Sequence, residues 1–373
     1  MHNCSGIYFH IPFCPKKCLY CDFFSVTGCS GDTLKKYGKS LFNEAERRLG
    51  ELSGTKIVSA YFGGGSPTSM DVDFFRNFAG FAEKSGINLG NCEVTVEINP
   101  ADRGENWIKN LKNCGINRVS IGIQAFDDQV LAETGRRTRV ADMEKNIPLF
   151  AEYFDNVSCD IIYGLGKNRE ISRELAQIFE LAPFKHVSAY RYARPERKNA
   201  PNLLDEDETL RQEAEIMDFL QERGFSRYEI SNYSLPGFES RHNMLYWTYG
   251  SWLGIGAGAA SFIRKTGISS RYADDIDAFV SGGGLSSVEL NLRERIEEFL
   301  LMGLRVKIGV NLNNFNELFG KEFFGLVSEK TVSDLVSEGL LEFGENRKVI
   351  RCTERGSDFL NVILLKLFDA IRC

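Results

Sequence analysis

Cys14, Cys18 and Cys21 stand in the segment His10-Ile-Pro-Phe-Cys14-Pro-Lys-Lys-Cys18-Leu-Tyr-Cys21-Asp-Phe23, a C-x3-C-x2-C spacing that sets three thiolates on one short loop. A tetrahedral zinc site or a fully ligated four-iron cluster needs one ligand more. A cubane held by three cysteines leaves one iron open, and an open metal position is where a small molecule can bind and react. Cys4 or Cys29 could complete a zinc site, but structural zinc usually pairs two knuckles and no second one follows. A disulfide framework is a poor fit, because ten cysteines over 373 residues are too sparse for a stapled scaffold. The spacing therefore favours iron–sulfur chemistry with an exchangeable ligand. Cys4, Cys29, Cys92, Cys114, Cys159, Cys352 and Cys373 show no metal spacing and are expected to be core or incidental thiols.

The elements that must position this loop read as an α/β fold. Strand patterns fall at residues 6–10, 56–62, 92–98, 118–123, 156–162 and 185–190. Amphipathic helical patterns alternate with them at 33–49, 71–84, 105–113, 141–153, 170–181 and 206–223. Six strand–helix units in succession predict a parallel sheet with helices outside it. Periodicity alone leaves an open doubly wound sheet and a partial barrel equally available. In either, ligands gather at the C-terminal ends of the strands. The second strand ends in Gly63-Gly64-Gly65-Ser66-Pro67, the third in Glu97-Ile-Asn-Pro100 and the fourth in Gln124; the fifth carries Asp160 and runs into Tyr163-Gly164. Any one of these is an ordinary loop or cap. Their joint placement points to a site.

After residue 230 the chain turns aromatic and glycine-rich, through Tyr228-Glu-Ile-Ser-Asn-Tyr233, His242-Asn-Met-Leu-Tyr246-Trp247 and Gly254-Ile-Gly256-Ala-Gly258. Ser-Gly-Gly-Gly-Leu-Ser-Ser at 281–287 reads as a linker, giving domains at 1–280 and 290–373. Helical patterns at 293–304, 311–319 and 330–338, extended runs at 340–343 and 348–352, and a last helix at 357–367 predict a small winged-helix-like domain. From residue 290 onward there are 12 Lys or Arg against 13 Asp or Glu, so the positive footprint of a DNA reader is missing. A structural or partner-docking role is expected there.

With 43% hydrophobic and 26% charged residues the chain has the make-up of a soluble globular protein. A formal net charge of -6 argues against nucleic-acid binding. No signal-type stretch opens the chain and no apolar run is long enough to span a bilayer, so a cytoplasmic location is expected.

The loop 10–23, with Tyr20 as the aromatic before Cys21, resembles the cluster loop of the radical S-adenosylmethionine (SAM) superfamily. Tyr61-Phe-Gly-Gly-Gly-Ser-Pro-Thr68, Thr95-Val-Glu-Ile-Asn-Pro100, Arg118-Val-Ser-Ile-Gly-Ile-Gln124, Asp160-Ile-Ile-Tyr-Gly-Leu165, His186-Val-Ser-Ala-Tyr190 and the stretch 228–247 resemble one branch of it. That branch holds the HemW haem chaperones and the oxygen-independent coproporphyrinogen III dehydrogenases (HemN). The resemblance spans almost the whole chain. It implies a partial (βα)6 barrel, with Cys14, Cys18 and Cys21 holding three irons of a [4Fe–4S] cluster and SAM on the fourth. An electron from the reduced cluster could then cleave the sulfonium bond to a 5′-deoxyadenosyl radical. By the same resemblance Gly64, Gly65 and Ser66 embrace the methionine part of SAM, with Ser66 in place of the usual threonine. Glu97, Gln124, Arg136, Asp160 and Ala193 match SAM-contacting positions, although 190–195 departs from both branches. Tyr8 and Tyr20 match positions beside cluster and cofactor.

The two branches differ at a few residues. The dehydrogenases carry a further cysteine two positions past the third ligand, where this chain has Phe23, and an N-terminal extension ahead of the loop. His242-Asn-x-x-Tyr246-Trp247 instead matches a signature of the chaperones. The chaperones usually carry Gly-Leu-Pro-Gly where this chain has Gly164-Leu-Gly166-Lys. Four histidines occur, His2, His10, His186 and His242. His242 is the residue expected to contact haem by the resemblance, and a hydrogen-bonded structural histidine by its residue type alone; Cys29 is a further possible haem contact. The expected function is a haem chaperone that passes haem to an acceptor protein, with an electron donor for the cluster. The alternatives are coproporphyrinogen III oxidation to protoporphyrinogen IX and radical SAM chemistry on another substrate.

Overall fold

A computed structural model describes residues 3–196, 199–344 and 346–372. His2 and Cys373 lie outside the described residues. The first half is β1 (Cys4–Ile11), α1 (Gly31–Arg48), β2 (Lys56–Gly64), α2 (Val72–Lys84), β3 (Glu93–Ile98), α3 (Glu105–Asn113), β4 (Arg118–Gln124), a short α4 (Asp128–Glu133), α5 (Val140–Tyr153), β5 (Asn156–Tyr163), α6 (Ile171–Leu181), β6 (His186–Arg191) and α7 (Glu206–Glu222). Each strand and helix expected here is present. Side-chain caps fix several helix starts: Ser30 accepts from Thr33, Asp71 from Phe74, and Asp205 from Glu208.

β1 to β6 pair in parallel, neighbour to neighbour. Crossovers of one hand put the connecting helices on one face of such a sheet. The strands alternate accordingly. Ile7, Phe9, Ile11, Phe62, Val94, Val96, Val119, Ile121, Val157, Cys159 and Val187 are buried in one core with the helices. Phe9 stacks on Phe62 at 4.8 Å, and Phe78 of α2 meets Phe62 edge-on at 4.9 Å. A parallel sheet buried in apolar packing on both faces reads as continuous hydrophobic runs. Here every second residue is polar instead: Tyr8 and His10, Ser59 and Tyr61, Thr95 and Glu97, Arg118 and Ser120, Ser158 and Asp160, His186 and Ser188. The inner face of the partial barrel is thereby built to hold polar chemistry.

The sheet continues beyond six strands. β7 (Ser226–Glu229) and β8 (Asn232–Ser234) extend it past β6, and α8 (Arg241–Trp247) leads into β9 (Ser251–Ile255), which pairs in parallel with β1. β10 (Ala260–Ile263), β11 (Ile268–Tyr272), α9 (Ile276–Val280) and β12 (Leu285–Glu289) follow. The result is one twelve-stranded sheet of order β12-β11-β10-β9-β1-β2-β3-β4-β5-β6-β8-β7. The stretch 281–287, read above as a linker, is the end of α9, a glycine turn and most of β12, which pairs antiparallel with β11. All five β12 residues are exposed, so this edge strand carries no apolar alternation from which a strand could be read.

Beyond it lie α10 (Leu292–Gly303), β13 (Val310–Asn311), α11 (Leu312–Phe319), α12 (Phe323–Leu326), α13 (Glu329–Ser337), β14 (Leu341–Gly344), β15 (Val349–Cys352), α14 (Glu354–Asp358) and α15 (Leu360–Asp369). The three strands form a small sheet of order β13-β15-β14. The single last helix expected at 357–367 is two helices that meet at Phe359. A second core built on Phe299, Phe315, Leu335 and Ile363 also takes in Tyr249 and Phe262, so the two units share packing. Among the described residues no helix is long and apolar enough to cross a membrane.

Candidate functional site

The loop that carries the three cysteines leaves the C-terminal end of β1. It is pinned where it starts and ends: Cys14 N–H donates to Val26 O at 2.9 Å, and Val26 N–H to Pro12 O at 2.7 Å. Its middle is held by Leu19 N–H on Thr134 O at 2.9 Å and by Lys17 Nζ on Phe23 O at 2.8 Å. All three cysteines are half-buried. Burial pushes the Cys14 thiol up to about 11, opposed by a Ser25 hydrogen bond and reinforced by the nearby Cys21 and Cys18. The three sulfurs thus lie within one another's electrostatic reach. Among the described residues no group of three or more His, Cys, Asp or Glu could hold a metal ion. Zinc draws its ligands to within about 2.0–2.3 Å of one centre. A cubane spreads three thiolates over three irons and asks only that one loop present them, and three half-buried thiols within one another's electrostatic reach fit that demand.

Beside the loop stands the end of β2. Gly64 adopts φ +110°, and a Cβ there would lie 2.4 Å from the His10 ring, so no larger residue fits. Gly64 N–H donates to Glu97 Oε2 at 3.1 Å, and the Tyr61 hydroxyl to Glu97 Oε1 at 3.0 Å. Gly65 N–H reaches back to Ile11 O, and Ser66 N–H to Phe13 O, both at 2.9 Å, which ties the glycine turn to the cysteine loop. The Ser66 hydroxyl is buried and meets Thr68 Oγ1 at 2.7 Å and Asp102 Oδ2 at 3.2 Å. Asp102 is in turn paired with Arg137.

Two carboxyls face each other across this wall. Burial first, and then the nearby Asp160, push Glu97 up to about 7, while the Tyr61 and Gly64 hydrogen bonds favour its ionised form. Asp160 is likewise raised by burial, with Ser188, Arg118 and Ser120 working against it. Ser120 Oγ lies 3.1 Å from Asp160 Oδ1. A pair of carboxyls held near neutrality by burial is ready to exchange its proton for an arriving cation. Gln124 sits at φ +70° on a bulge between β4 and β5, which turns its backbone out of the regular ladder. Arg136 donates Nη1 to the Tyr20 hydroxyl at 2.8 Å and Nη2 to Gly122 O. Tyr20 packs on a small apolar cluster of Ile162, Leu165 and Tyr192. Tyr8 meets His10 Nδ1 at 3.0 Å, and His10 Nε2 lies 3.1 Å from Phe24 O, so β1 and the cysteine loop are tied through one imidazole.

Tyr8, Tyr20, Gly64, Gly65, Ser66, Glu97, Gln124, Arg136 and Asp160 therefore come from the cysteine loop, the strands and the strand-end turns around it. Ala193 is exposed in the loop after β6, next to Tyr192, which packs with Tyr20. His242 is 1% exposed, with Nδ1 at 2.8 Å from Ser59 Oγ and Nε2 at 2.6 Å from the Tyr246 hydroxyl. Its ring stacks on Tyr61 at 5.1 Å, and burial lowers its pKa to about 3. Both ring nitrogens are used within the protein. The imidazole holds the aromatic layer rather than an open face. Phe23, by contrast, is 68% exposed on the cysteine loop. Gly166 takes φ +71°, which a proline cannot adopt, so the loop after β5 differs in shape from the Gly-Leu-Pro-Gly pattern.

Tyr61, Asp102, Arg118, Ser120 and Ser188 support this site but escaped the reading of strand ends. The signal that finds them is the polar alternation within the strands, since all but Asp102 occupy inner-face positions.

The Radical SAM superfamily pattern matches residues 8–179, and the HemN C-terminal domain pattern matches residues 290–359. The heme chaperone HemW of Lactococcus lactis is 31% identical, over 98% of this chain and 98% of that protein. This chain belongs to the HemW family. The HemW of Bacillus subtilis is 30% identical over 91% of this chain and 93% of its own length. Coproporphyrinogen III oxidase (HemN) from Escherichia coli, described as a radical SAM enzyme, superposes with a TM-score of 0.82 over 99% of this chain and 90% of that one, at 20% identity. That likeness fixes the fold: this chain and HemN share one architecture from the cysteine loop through the C-terminal helices.

Proposed function

We propose that this protein is a haem chaperone that binds haem, keeps a SAM-ligated [4Fe–4S] cluster and hands haem to an acceptor protein. The observation that carries the reading is the full-length match to proteins named heme chaperone HemW, with Phe23 where the porphyrinogen-oxidising branch has a cysteine. Cys14, Cys18 and Cys21 would hold the cluster. Gly64, Gly65, Ser66, Glu97, Gln124, Arg136 and Asp160 would bind SAM, with Tyr8 and Tyr20 beside it. When bound, the cluster supplies an electron and an open iron.

The chain's own residues do the rest. Glu97, kept near half-ionised by burial and Asp160, accepts a positively charged group and gives up its proton. Tyr61 and Gly64 orient the Glu97 carboxylate. Arg136 fixes the Tyr20 ring against the apolar cluster beside the cysteine loop. His242 keeps Tyr61 in place from behind. Ala193 would meet SAM from the loop after β6, and His242, with both ring nitrogens bonded within the protein, takes no direct ligand role. The test is a titration of the anaerobic, cluster-loaded protein with haem. A saturable, equimolar Soret change is expected; absence of saturation would remove the chaperone reading.

A further inference from the structure

Where the sheet unit meets the C-terminal unit, a cavity of about 220 Å³ opens between the end of α8, helix α10 and β13. Trp247, Tyr249, Arg264, Phe299, Ile308 and Asn314 line it. Two donors in its wall have no acceptor: the Tyr249 O–H, whose oxygen the Arg295 guanidinium approaches as a donor, and the buried Trp247 indole N–H. Tyr249 as a whole is 2% exposed. Packing explains its ring, which meets Phe262 at 4.8 Å and Phe299 at 5.3 Å. Packing does not explain the hydroxyl, because phenylalanine fills the same space and leaves no buried polar atom unpaired.

The backbone adds a second oddity. Tyr249 follows the end of α8 at φ +56°, with Gly250 N–H closing on Leu245 O at 2.7 Å. Glycine is the usual residue in that left-handed position. A bulky side chain held there is strained, and such strain clusters at ligand clamps.

Charge completes the picture. Arg264 lines the cavity, Arg295 donates Nη2 to Arg264 O at 3.3 Å, and burial together with the nearby Arg295 charge lowers the Arg264 pKa. Arg295 Nε has no hydrogen-bond partner, and the guanidinium stands against the Tyr249 hydroxyl. Glu298 and Glu317 lie in the same neighbourhood. Arg305 covers the Trp247 ring at 4.6 Å but is paired with Glu229 at 3.6 Å. The cavity is smaller than the about 300–1,000 Å³ that encloses a drug-sized ligand, so it suits a single group rather than a whole cofactor. Ile308, 57% exposed, forms an apolar lip.

We propose that this cavity is an oxyanion site, in which Arg264 supplies charge and the Tyr249 hydroxyl and Trp247 N–H donate to a carboxylate or phosphate group. Two sources carry that chemistry. One is a propionate of haem, which rests on the chaperone reading; the other is a free oxyanion, which does not.

The experiment has two arms on the full chain. Calorimetric titration with inorganic phosphate reads the free oxyanion. Soret titration with haem and with its dimethyl ester reads the propionate. The expected result is saturable phosphate binding, or haem binding at least about tenfold tighter than the ester, a loss on the scale of one charge-assisted hydrogen bond. Tyr249→Phe, which removes only the hydroxyl, should weaken whichever is seen, and Arg264→Gln should abolish it. The inference is overturned if phosphate shows no saturation and acid and ester bind alike, or if both variants leave the observed binding unchanged. Should neither form of haem bind while phosphate does, the chaperone reading fails and the oxyanion site stands.

Discussion

Glu97 is the residue whose chemistry is most exposed to test. Its carboxyl is raised to about 7, so the fold favours the protonated form. That contribution to stability is fully present below the ordinary carboxylate range and is lost as pH rises through 7. For a cationic ligand such as SAM the sign reverses, because the ionised carboxylate is the form that binds. SAM affinity of the cluster-loaded protein should fall about tenfold per pH unit below 7 and level off above 8. Glu97→Gln should flatten that profile, and calorimetry between pH 5.5 and 8.5, a window of about three units around that midpoint, reads it. A flat wild-type profile would contradict the assignment. His242 makes the opposite kind of prediction. His242→Ala leaves the Ser59 and Tyr246 hydroxyls short of a partner and should cost about 2–4 kcal/mol in urea unfolding. Haem binding per folded molecule should stay unchanged, and loss of the Soret change at full stability would restore a ligand role. The cysteines, glycines and carboxylates of the site were legible because metal spacing and strand-end position are local properties of a sequence. The satisfied state of His242 was not, since Ser59 is 183 residues away in the chain.

At the scale of elements, the six strand–helix units were readable because period-two and helical patterns alternate cleanly through α7. The strands after residue 230 were not. They are short, and β9 and the turns around it carry glycine where the chain packs on itself; a Cβ on Gly254 would lie 2.1 Å from Ala260 O. β12 is exposed on every residue, which makes an edge strand look like a flexible serine-glycine connection. Hydrogen exchange separates the two: the β12 amides that face β11 should be protected, whereas a linker would exchange at the unprotected rate. The loop after β5 offers a second test. Gly166→Pro, which moves toward the usual chaperone sequence, should destabilise this chain by more than about 1 kcal/mol, because φ +71° is closed to proline. Unchanged stability in a thermal melt would mean that the loop rearranges freely.

For the whole molecule, one sheet runs from the exposed edge of β12 to β7, whose Tyr228 carbonyl accepts from Lys307 N–H at 3.0 Å in the segment leading to β13. The partial barrel and the C-terminal unit are thus joined by sheet edge, by shared core and by the cavity at Tyr249. The cysteine loop stands apart from that packing. Cys18→Ala should therefore remove the cluster absorbance and SAM cleavage while leaving the unfolding free energy within about 0.5 kcal/mol of the parent. A normal cluster spectrum in that variant would refute the ligand assignment. HemN shares this architecture, so fold alone does not separate haem handling from porphyrinogen oxidation. The direct measurement supplies coproporphyrinogen III, SAM and a strong reductant to the anaerobic, cluster-loaded protein and assays for protoporphyrinogen IX. The account predicts none, with haem still bound in a parallel sample; turnover to protoporphyrinogen IX would contradict it.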